Sequence, residues 1–214
     1  MKKLLLLFMT CATVYSVNAQ VSTPAPSPAS KLEQKVGLTD VTLEYSRPGV
    51  REREIFGNLV PFDKLWRTGA NKNTIITVST DFTVFGTTLK PGSYAIFTKP
   101  GKTMWEVYFY SDTENWGTPK EWDDSKVMAM GEVTVNPIPF NVETFTLDIN
   151  NIKNSSATID VIWAKSYVAI PIGVPTDDAV LASINNVLGA TPTADDYFSS
   201  AVYYLQEGKD IKQA

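Results

Sequence analysis

The stretch 31–174 is dominated by short segments of β-branched and aromatic residues that are separated by turn signals. In DVTLEYS (40–46) apolar and polar residues alternate, and NTIITVST, FTVFG, KVMAMGEVTV, ETFTLDI and ATIDVIWAKSYVAIPI continue the series. Pro-Gly pairs precede and divide the two further strands of LKPGSYAIFTKPGKTMWEVYFY. The pattern predicts about nine strands with no helices between them, which favours an antiparallel β-sandwich or jelly-roll-like domain over a parallel sheet.

The alternation also predicts the core of this mainly β domain. Residues of one parity along a strand point to the same face of the sheet, so the apolar set of each strand is expected to be buried. The core residues predicted in this way are Val41, Leu43, Phe145, Leu147, Ile159, Val161 and Trp163.

The period changes after Pro175, where residues 175–214 predict a short helical appendage. TDDAVLASINNVLG has Thr176 as the expected N-cap, and TADDYFSSAVYYLQEG has Thr193 and Asp196 in the spacing of a capping box. We expect the second helix to bury the stripe formed by Tyr197, Phe198, Ala201, Val202 and Leu205. Because the last residues, DIKQA, resemble an unfinished third helix, we interpret 175–214 as a truncated helical hairpin that packs on the sandwich or on further helices.

The first residues, MKKLLLLFMTCATVYSVNAQ, have the features of a secretory signal peptide. Two lysines precede a short apolar run, and small residues at 17–19 predict cleavage before Gln20. Lipidation of Cys11 is the less favoured alternative, because no small residue stands before it. The protein is therefore expected to be exported, periplasmic or secreted, without a transmembrane anchor. Residues 20–30 (QVSTPAPSPAS) predict a disordered linker.

The composition excludes several kinds of chemistry. The chain has no histidine, and its single cysteine, Cys11, is removed with the signal peptide. This excludes His-based triads, His- or Cys-ligated zinc and His-ligated haem, so neither a metal site, a cofactor nor a catalytic residue is predicted. Loss of the two signal-peptide lysines changes the formal net charge from −4 to −6. An acidic chain is poorly suited to nucleic acid, and the sequence identifies no protein partner.

A set of short motifs resembles a known family. The order Ser46-Arg47-Pro48, Arg53, Ile55-Phe56-Gly57, Val60-Pro61, the segment 66–71 (WRTGAN) and Trp116-Gly117 is similar to the exported domain of unknown function 2911 family. The likeness runs from about Lys31 to Ile172, although Glu52 stands where the family more often has a small residue. The resemblance implies a β-rich exported domain, often followed by helices, with no established activity.

All four arginines of the chain lie within one 21-residue window. They are Arg47, Arg51, Arg53 and Arg67, whereas the lysines are spread over the whole length. Since a guanidinium binds carboxylate or phosphate through a planar fork, the window predicts a small-anion site that also includes Trp66 and Asn71. Backbone amides of the turn 68–71 could add donors. Structural ion pairs are the commoner reason for such a cluster, so the favoured interpretation is that Glu52, Glu54 and Asp63 pair with the arginines.

Arg67 has a specific expected position. It follows Trp66 and precedes a glycine-containing turn, so its guanidinium could point back over the loop 46–57. We expect it to be at least half buried and to bond a carboxylate or carbonyls of that loop, with Arg47 nearby.

A second candidate surface is the segment DTENWGTPKEWDDS (112–125). Trp116 and Trp122 stand beside carboxylates that include Asp112 and Glu114, a combination that can bind a sugar ring and its hydroxyls. Alternatively, the tryptophans close one end of the sandwich. The acids Asp112, Glu114, Glu121, Asp123 and Asp124 could also hold calcium, but their spacing is not that of an EF-hand.

The sequence thus favours a non-catalytic binding or assembly module of the cell envelope, with a small anionic ligand or a glycan as its partner. The alternative is a carboxylate-dependent glycan hydrolase, which requires two acids placed across a cleft.

Overall fold

A computed structural model describes residues 22–210 and shows two antiparallel sheets followed by two helices. The first sheet contains, in spatial order, β1 (Ala29–Val36), β2 (Thr39–Ser46), β3 (Thr74–Val78), β6 (Gly92–Pro100), β7 (Met104–Tyr110) and β8 (Val127–Thr134). The second contains β5 (Thr87–Leu89), β4 (Phe82–Val84), β10 (Ser156–Gly173) and β9 (Asn136–Asn150). The fold is therefore mainly β with a short helical appendage, as the sequence predicted.

The core lies between the two sheets and consists of the residues that the alternation pointed inward. Val41 and Leu43 of β2, Phe145 and Leu147 of β9, and Ile159, Val161 and Trp163 of β10 are each at most 3% exposed. All of them belong to one apolar cluster. The core prediction is confirmed for every one of these residues.

β10 is a strand that doubles back on itself. At about 3.3 Å per residue, its 18 residues would span roughly 60 Å if they were straight. Yet the amide of Val174, just past its end, donates to the carbonyl of Ser155, just before its start, at 2.9 Å. The bend lies near Ala164, which has φ 51°, and the register with β9 shifts on both sides of it. Residues 158–162 before the bend pair with β9, as do Ser166 and Tyr167 just after it, whereas Ile172 and Gly173 at the far end pair with β4.

The N-terminal segment corrects one prediction. The linker was expected to be disordered over 20–30, but β1 begins at Ala29, which pairs with Ser46. The amide of Arg47 also donates to the carbonyl of Pro28 at 2.8 Å. The composition of 20–30 could not predict this pairing, because the partners Ser46 and Arg47 lie some twenty residues further along the chain. The signal peptide stays a prediction, since residues 1–21 lie outside the described range.

The two helices are α1 (Thr176–Leu188) and α2 (Ala194–Gln206). The capping box of α2 is confirmed, since Thr193 and Asp196 exchange the expected bonds. The N-cap prediction for α1 is wrong, because Pro175 holds that position and makes no side-chain cap. Thr176 is instead buried against the β1–β2 turn, where its Oγ1 accepts from the amide of Leu38 at 3.4 Å.

The buried face of α2 differs from the predicted stripe. Of that stripe, Tyr197, Phe198 and Leu205 are 52%, 70% and 67% exposed, while Ser200 and Tyr204 are the buried residues of the helix. The amphipathic pattern identified the apolar side of α2, but it did not predict which side of the helix packs against the rest of the protein. No helix within residues 22–210 has the length and apolarity needed to cross a bilayer.

Thr193→Ala is expected to destabilise α2 locally by about 1 kcal/mol, because an alanine at the N-cap leaves the first-turn amides without an acceptor. Hydrogen exchange of these amides should speed up about fivefold, the factor that corresponds to such a free energy. Thr191→Ala, also exposed but outside the cap, is the control and should exchange like the parent. Equal exchange in both variants would contradict the role of the capping box.

Candidate functional site

A cavity of about 320 Å³ lies at the arginine window. It brings together three of the four predicted arginines, Arg51, Arg53 and Arg67, with the predicted Trp66. The rest of its wall is mostly apolar or backbone and comes from Pro26, Ser27, Pro48, Gly49, Leu59, Val60, Gly69, Ala70 and Trp163. No carboxylate lines this cavity among the residues the structure describes.

Trp66 fixes the cavity to the sandwich core. Its amide and carbonyl form a two-way backbone bridge with Thr98, at 2.7 and 2.9 Å. Its ring stacks on Trp163 with centroids 5.9 Å apart and meets the edge of Phe145 at 5.4 Å. The residue is 9% exposed, so nearly all of the indole contacts protein and only a margin faces the cavity. Trp66 thus anchors the backbone beside the cavity in the core of the sandwich.

The turn after Arg67 has a left-handed backbone at three positions. Thr68, Gly69 and Asn71 have φ values of 54°, 147° and 59°, a conformation that non-glycine residues adopt at a cost. The carbonyls of this turn point into the protein: that of Arg67 accepts from the Thr74 amide at 3.3 Å, and that of Thr68 from the Thr74 hydroxyl at 2.5 Å. The strained turn is thus held through its acceptors.

The amides of the same turn remain available. The carbonyl of Gly69 accepts from Trp66 Nε1 at 3.0 Å, but the amides of Gly69 and Ala70 donate to no acceptor within 22–210. Both residues line the cavity. The backbone therefore offers donors at the place where the sequence predicted them.

Arg47 and Arg53 are structural residues. Arg47 donates from Nε to the carbonyl of Phe145 at 3.0 Å and from Nη2 to Thr146 Oγ1 at 2.8 Å. Arg53 donates from Nε to the Val50 carbonyl at 3.0 Å and from Nη2 to the Gly49 carbonyl at 2.7 Å. Arg47 thus holds the loop 46–57 on β9, the role that had been expected of Arg67. Arg53 folds that loop back on itself and keeps Nη1 free for the cavity.

The N-terminal segment supplies a wall that sequence reasoning missed. Arg51 Nη2 donates to the carbonyl of Pro26 at 2.5 Å, and Asn71 Nδ2 donates to that of Ser27 at 3.1 Å. Pro26 and Ser27, which accept these bonds, both line the cavity. Arg51 itself has φ 49° and Glu52 has φ 58°, which explains why a small residue suits position 52. Two of the predicted ligand residues, Arg51 and Asn71, therefore also position the cavity wall.

The arginines form no ion pairs with carboxylates. Each ion pair within the described chain uses a lysine, so the expected pairing of the arginines with Glu52, Glu54 and Asp63 is wrong. All three acids are exposed instead. The guanidiniums at the cavity are bonded to neutral carbonyls or to nothing, although the carboxylate of Glu143 accepts from the backbone amide of Arg51 at 2.9 Å.

Arg67 is the least satisfied of these side chains. It is more than half buried, as predicted, but its guanidinium bonds neither loop 46–57 nor any other part of the described structure. Its Nε is fully buried without an acceptor. Burial lowers the pKa of Arg67, yet a guanidinium stays protonated at neutral pH, so the site keeps a partly desolvated positive charge.

The second candidate surface divides into two parts. Trp122 stacks on Tyr110 at 4.5 Å and donates from Nε1 to Asp124 at 2.9 Å. It covers the outer face of the first sheet, which agrees with the alternative of a packing role. Trp116 is 79% exposed and contacts no other aromatic ring within residues 22–210.

The carboxylates of this surface have partners of their own. Asp112 pairs with Lys126 at 2.9 Å and Glu114 with Lys72 at 3.1 Å, and the hydrogen bonds of these lysines lower the pKa of both acids. A glycosidase acid requires a raised pKa, so neither residue favours the hydrolase alternative. No group of three acidic side chains is placed to hold a metal ion anywhere in 22–210.

The two candidate surfaces adjoin at Arg67. A Cβ on Gly117 would lie 3.8 Å from Arg67 Nη1. The amide of Asn73, in the turn that follows Arg67, donates to the carbonyl of Asn115 at 3.1 Å. The guanidinium of Arg67 is therefore shared between the cavity and the segment that carries Trp116, a proximity that the sequence did not reveal.

Comparison with known proteins gives one match. The model of a family described as a protein of unknown function (DUF2911) matches residues 27–172. No curated protein and no solved structure matches the chain.

Proposed function

We propose, from the premise that the chain belongs to the DUF2911 family of proteins of unknown function, that it is a non-catalytic binding module of the cell envelope. The ligand is a small oxyanion, or an oxyanion group at the end of a larger molecule, held in the arginine cavity. The volume of about 320 Å³ supports this size, since it stands at the lower end of the range of about 300–1,000 Å³ for ligand pockets.

The observation that carries the proposal is the uncompensated charge of Arg67. Removing a charge from water without a partner costs several kcal/mol, and structural arginines avoid this cost through carboxylates or carbonyls. Arg47 and Arg53 follow that rule and Arg67 does not. A bound oxyanion would supply the counter-charge and acceptors for Nη1 and Nη2.

The donors around the cavity suit such a ligand. Arg67 offers Nη1 and Nη2, which bond nothing else in residues 22–210 and can together bind two oxygens of one anion, whereas its Nε is buried. The free amides of Gly69 and Ala70 add neutral donors from a turn whose conformation is already fixed. A site in which the donors are held before binding loses little conformational entropy when the ligand arrives.

The test is a thermal-shift titration of the mature protein with sulfate, phosphate and acetate at constant ionic strength. Binding stabilises the folded state by mass action, about 2.7 kcal/mol at a ligand concentration one hundred times Kd. The melting temperature should rise with the logarithm of concentration above Kd for at least one oxyanion, but not for chloride. An equal melting temperature in sulfate, phosphate, acetate and chloride would refute the proposal.

Export is a separate proposal that rests on residues 1–19. The exported protein is expected to begin at Gln20 without modification, because cleavage follows the small residues at 17–19. Intact-mass analysis of protein recovered from the envelope or the medium measures this directly. A lipid on Cys11, or an uncleaved chain in the cytoplasm, would contradict it.

A further inference from the structure

We infer that the oxyanion is the carboxylate of an acidic sugar, and that the sugar ring lies against Trp116. This inference rests on the proposed oxyanion site and adds the chemical class of its ligand. In a uronic acid the carboxylate is attached directly to the ring, so an anion site and a ring-binding surface must be neighbours.

Trp116 has the exposure expected of a ligand-binding aromatic side chain. At 79% exposed it is the most exposed large apolar side chain of the described chain, and it makes no ring contact there. The other four tryptophans of the protein pack against other rings. An indole face left in water is poorly solvated, and the C–H face of a pyranose can cover it.

The segment that carries Trp116 is held in place rather than free. Lys72 reaches both oxygens of Glu114 at 3.1 Å, and Lys126 holds Asp112 at 2.9 Å. Asn115 donates to the carbonyl of Asp112 at 3.1 Å and accepts the Asn73 amide through its own carbonyl. The indole is thus presented from an ordered loop, which reduces the entropy cost of stacking.

Trp116 is next in sequence to a residue that lies against the Arg67 guanidinium. Gly117 directly follows Trp116, and a Cβ on it would lie 3.8 Å from Arg67 Nη1. Gly117 is buried while Trp116 projects into solvent. Trp116 is not among the residues that line the cavity, so in this inference the sugar ring extends from the anion donors over the cavity rim towards the indole.

The charge of the surroundings favours a singly charged sugar over a nucleotide, which could also combine an oxyanion with a stacking ring. The segment 112–124 carries the five carboxylates Asp112, Glu114, Glu121, Asp123 and Asp124. Asp112 and Glu114 are paired with Lys126 and Lys72, but Glu121, Asp123 and Asp124 leave the segment negatively charged. It therefore repels a phosphate dianion more strongly than a monoanion.

The experiment compares D-glucuronate, acetate, D-glucose and adenosine monophosphate by isothermal titration of the mature protein. Acetate has the carboxylate without the ring, and glucose has the ring without the carboxylate. We expect glucuronate to bind at least tenfold more tightly than acetate, and glucose not to bind. Trp116→Ala should reduce glucuronate to the affinity of acetate and leave acetate binding unchanged. Phe198→Ala, which removes another exposed aromatic side chain on α2, is the matched control and should have no effect.

The outcomes separate this inference from the proposed function. If acetate, sulfate and phosphate all fail to bind, the oxyanion site itself is refuted. If acetate binds but glucuronate binds no better, or if Trp116→Ala keeps the preference, only the sugar assignment is refuted. Tighter binding of adenosine monophosphate that is lost in Trp116→Ala would replace the sugar with a nucleotide.

Discussion

Replacing Phe145 with alanine is expected to lower the free energy of unfolding by about 3–5 kcal/mol, the usual cost of truncating a large core side chain. Phe145 is 0% exposed. Its ring makes edge contacts with Tyr45, Trp66 and Trp163 at 5.9, 5.4 and 5.6 Å. These rings come from both sheets and from the cavity wall, so the space left by the phenyl group cannot close without moving several elements.

Chemical denaturation monitored by circular dichroism measures this effect. The matched control is Phe140→Ala on the same strand, β9, where the ring is 62% exposed. A surface truncation of this kind should change the stability by no more than about 0.5 kcal/mol. A loss below about 1 kcal/mol for Phe145→Ala would mean that this part of the core can repack.

Arg67→Gln is expected to reduce oxyanion affinity at least about 100-fold, or roughly 2.7 kcal/mol, because it removes the charge and the two-pronged fork together. Without the anion, the variant should melt at the same temperature as the parent or higher. The reason is that Arg67 has no partner to lose, and removal of a desolvated charge relieves its burial cost. Arg67→Lys keeps the charge but not the fork, so it should retain only part of the affinity.

Lys64→Gln is the control for net charge. Lys64 is exposed, lies three positions before Arg67 and does not line the cavity. It should leave both affinity and melting temperature unchanged. If Arg67→Gln instead lowered the melting temperature strongly and kept the response to anions, Arg67 would be a structural clamp, and the proposed site would be refuted.

The core was predictable because burial in a sheet depends mainly on a local alternation. Val41 and Leu43 follow the period of two, and tertiary structure adds nothing that could change the face they occupy. The hairpin within β10 was not predictable, since Ala164 is neither glycine nor asparagine and gives no turn signal. The contact of Thr176 with the β1–β2 turn was likewise invisible, because the two lie about 138 residues apart.

The candidate site shows the same division between what is local and what is not. The clustering of the arginines in sequence correctly located the cavity. It did not show which guanidinium finds an acceptor, because the acceptors of Arg47 lie on β9 and that of Arg51 lies near the N-terminus. The clamp role that was expected of Arg67 is therefore filled by Arg47. The proximity of Gly117 to Arg67 depends on how two loops pack, for which the sequence carries no signal.

The parallel stack of Trp66 on Trp163 gives the protein an internal optical reporter. Two indoles 5.9 Å apart and inclined by 16° have coupled electronic transitions, so they should produce a strong near-ultraviolet circular dichroism signal. Both also line the cavity, so a ligand that enters it changes their environment and their fluorescence. Trp116, in contrast, should emit at longer wavelength and be accessible to a soluble quencher. Occupation of the anion donors and covering of the exposed indole can thus be followed as two separate spectral changes in the unlabelled protein.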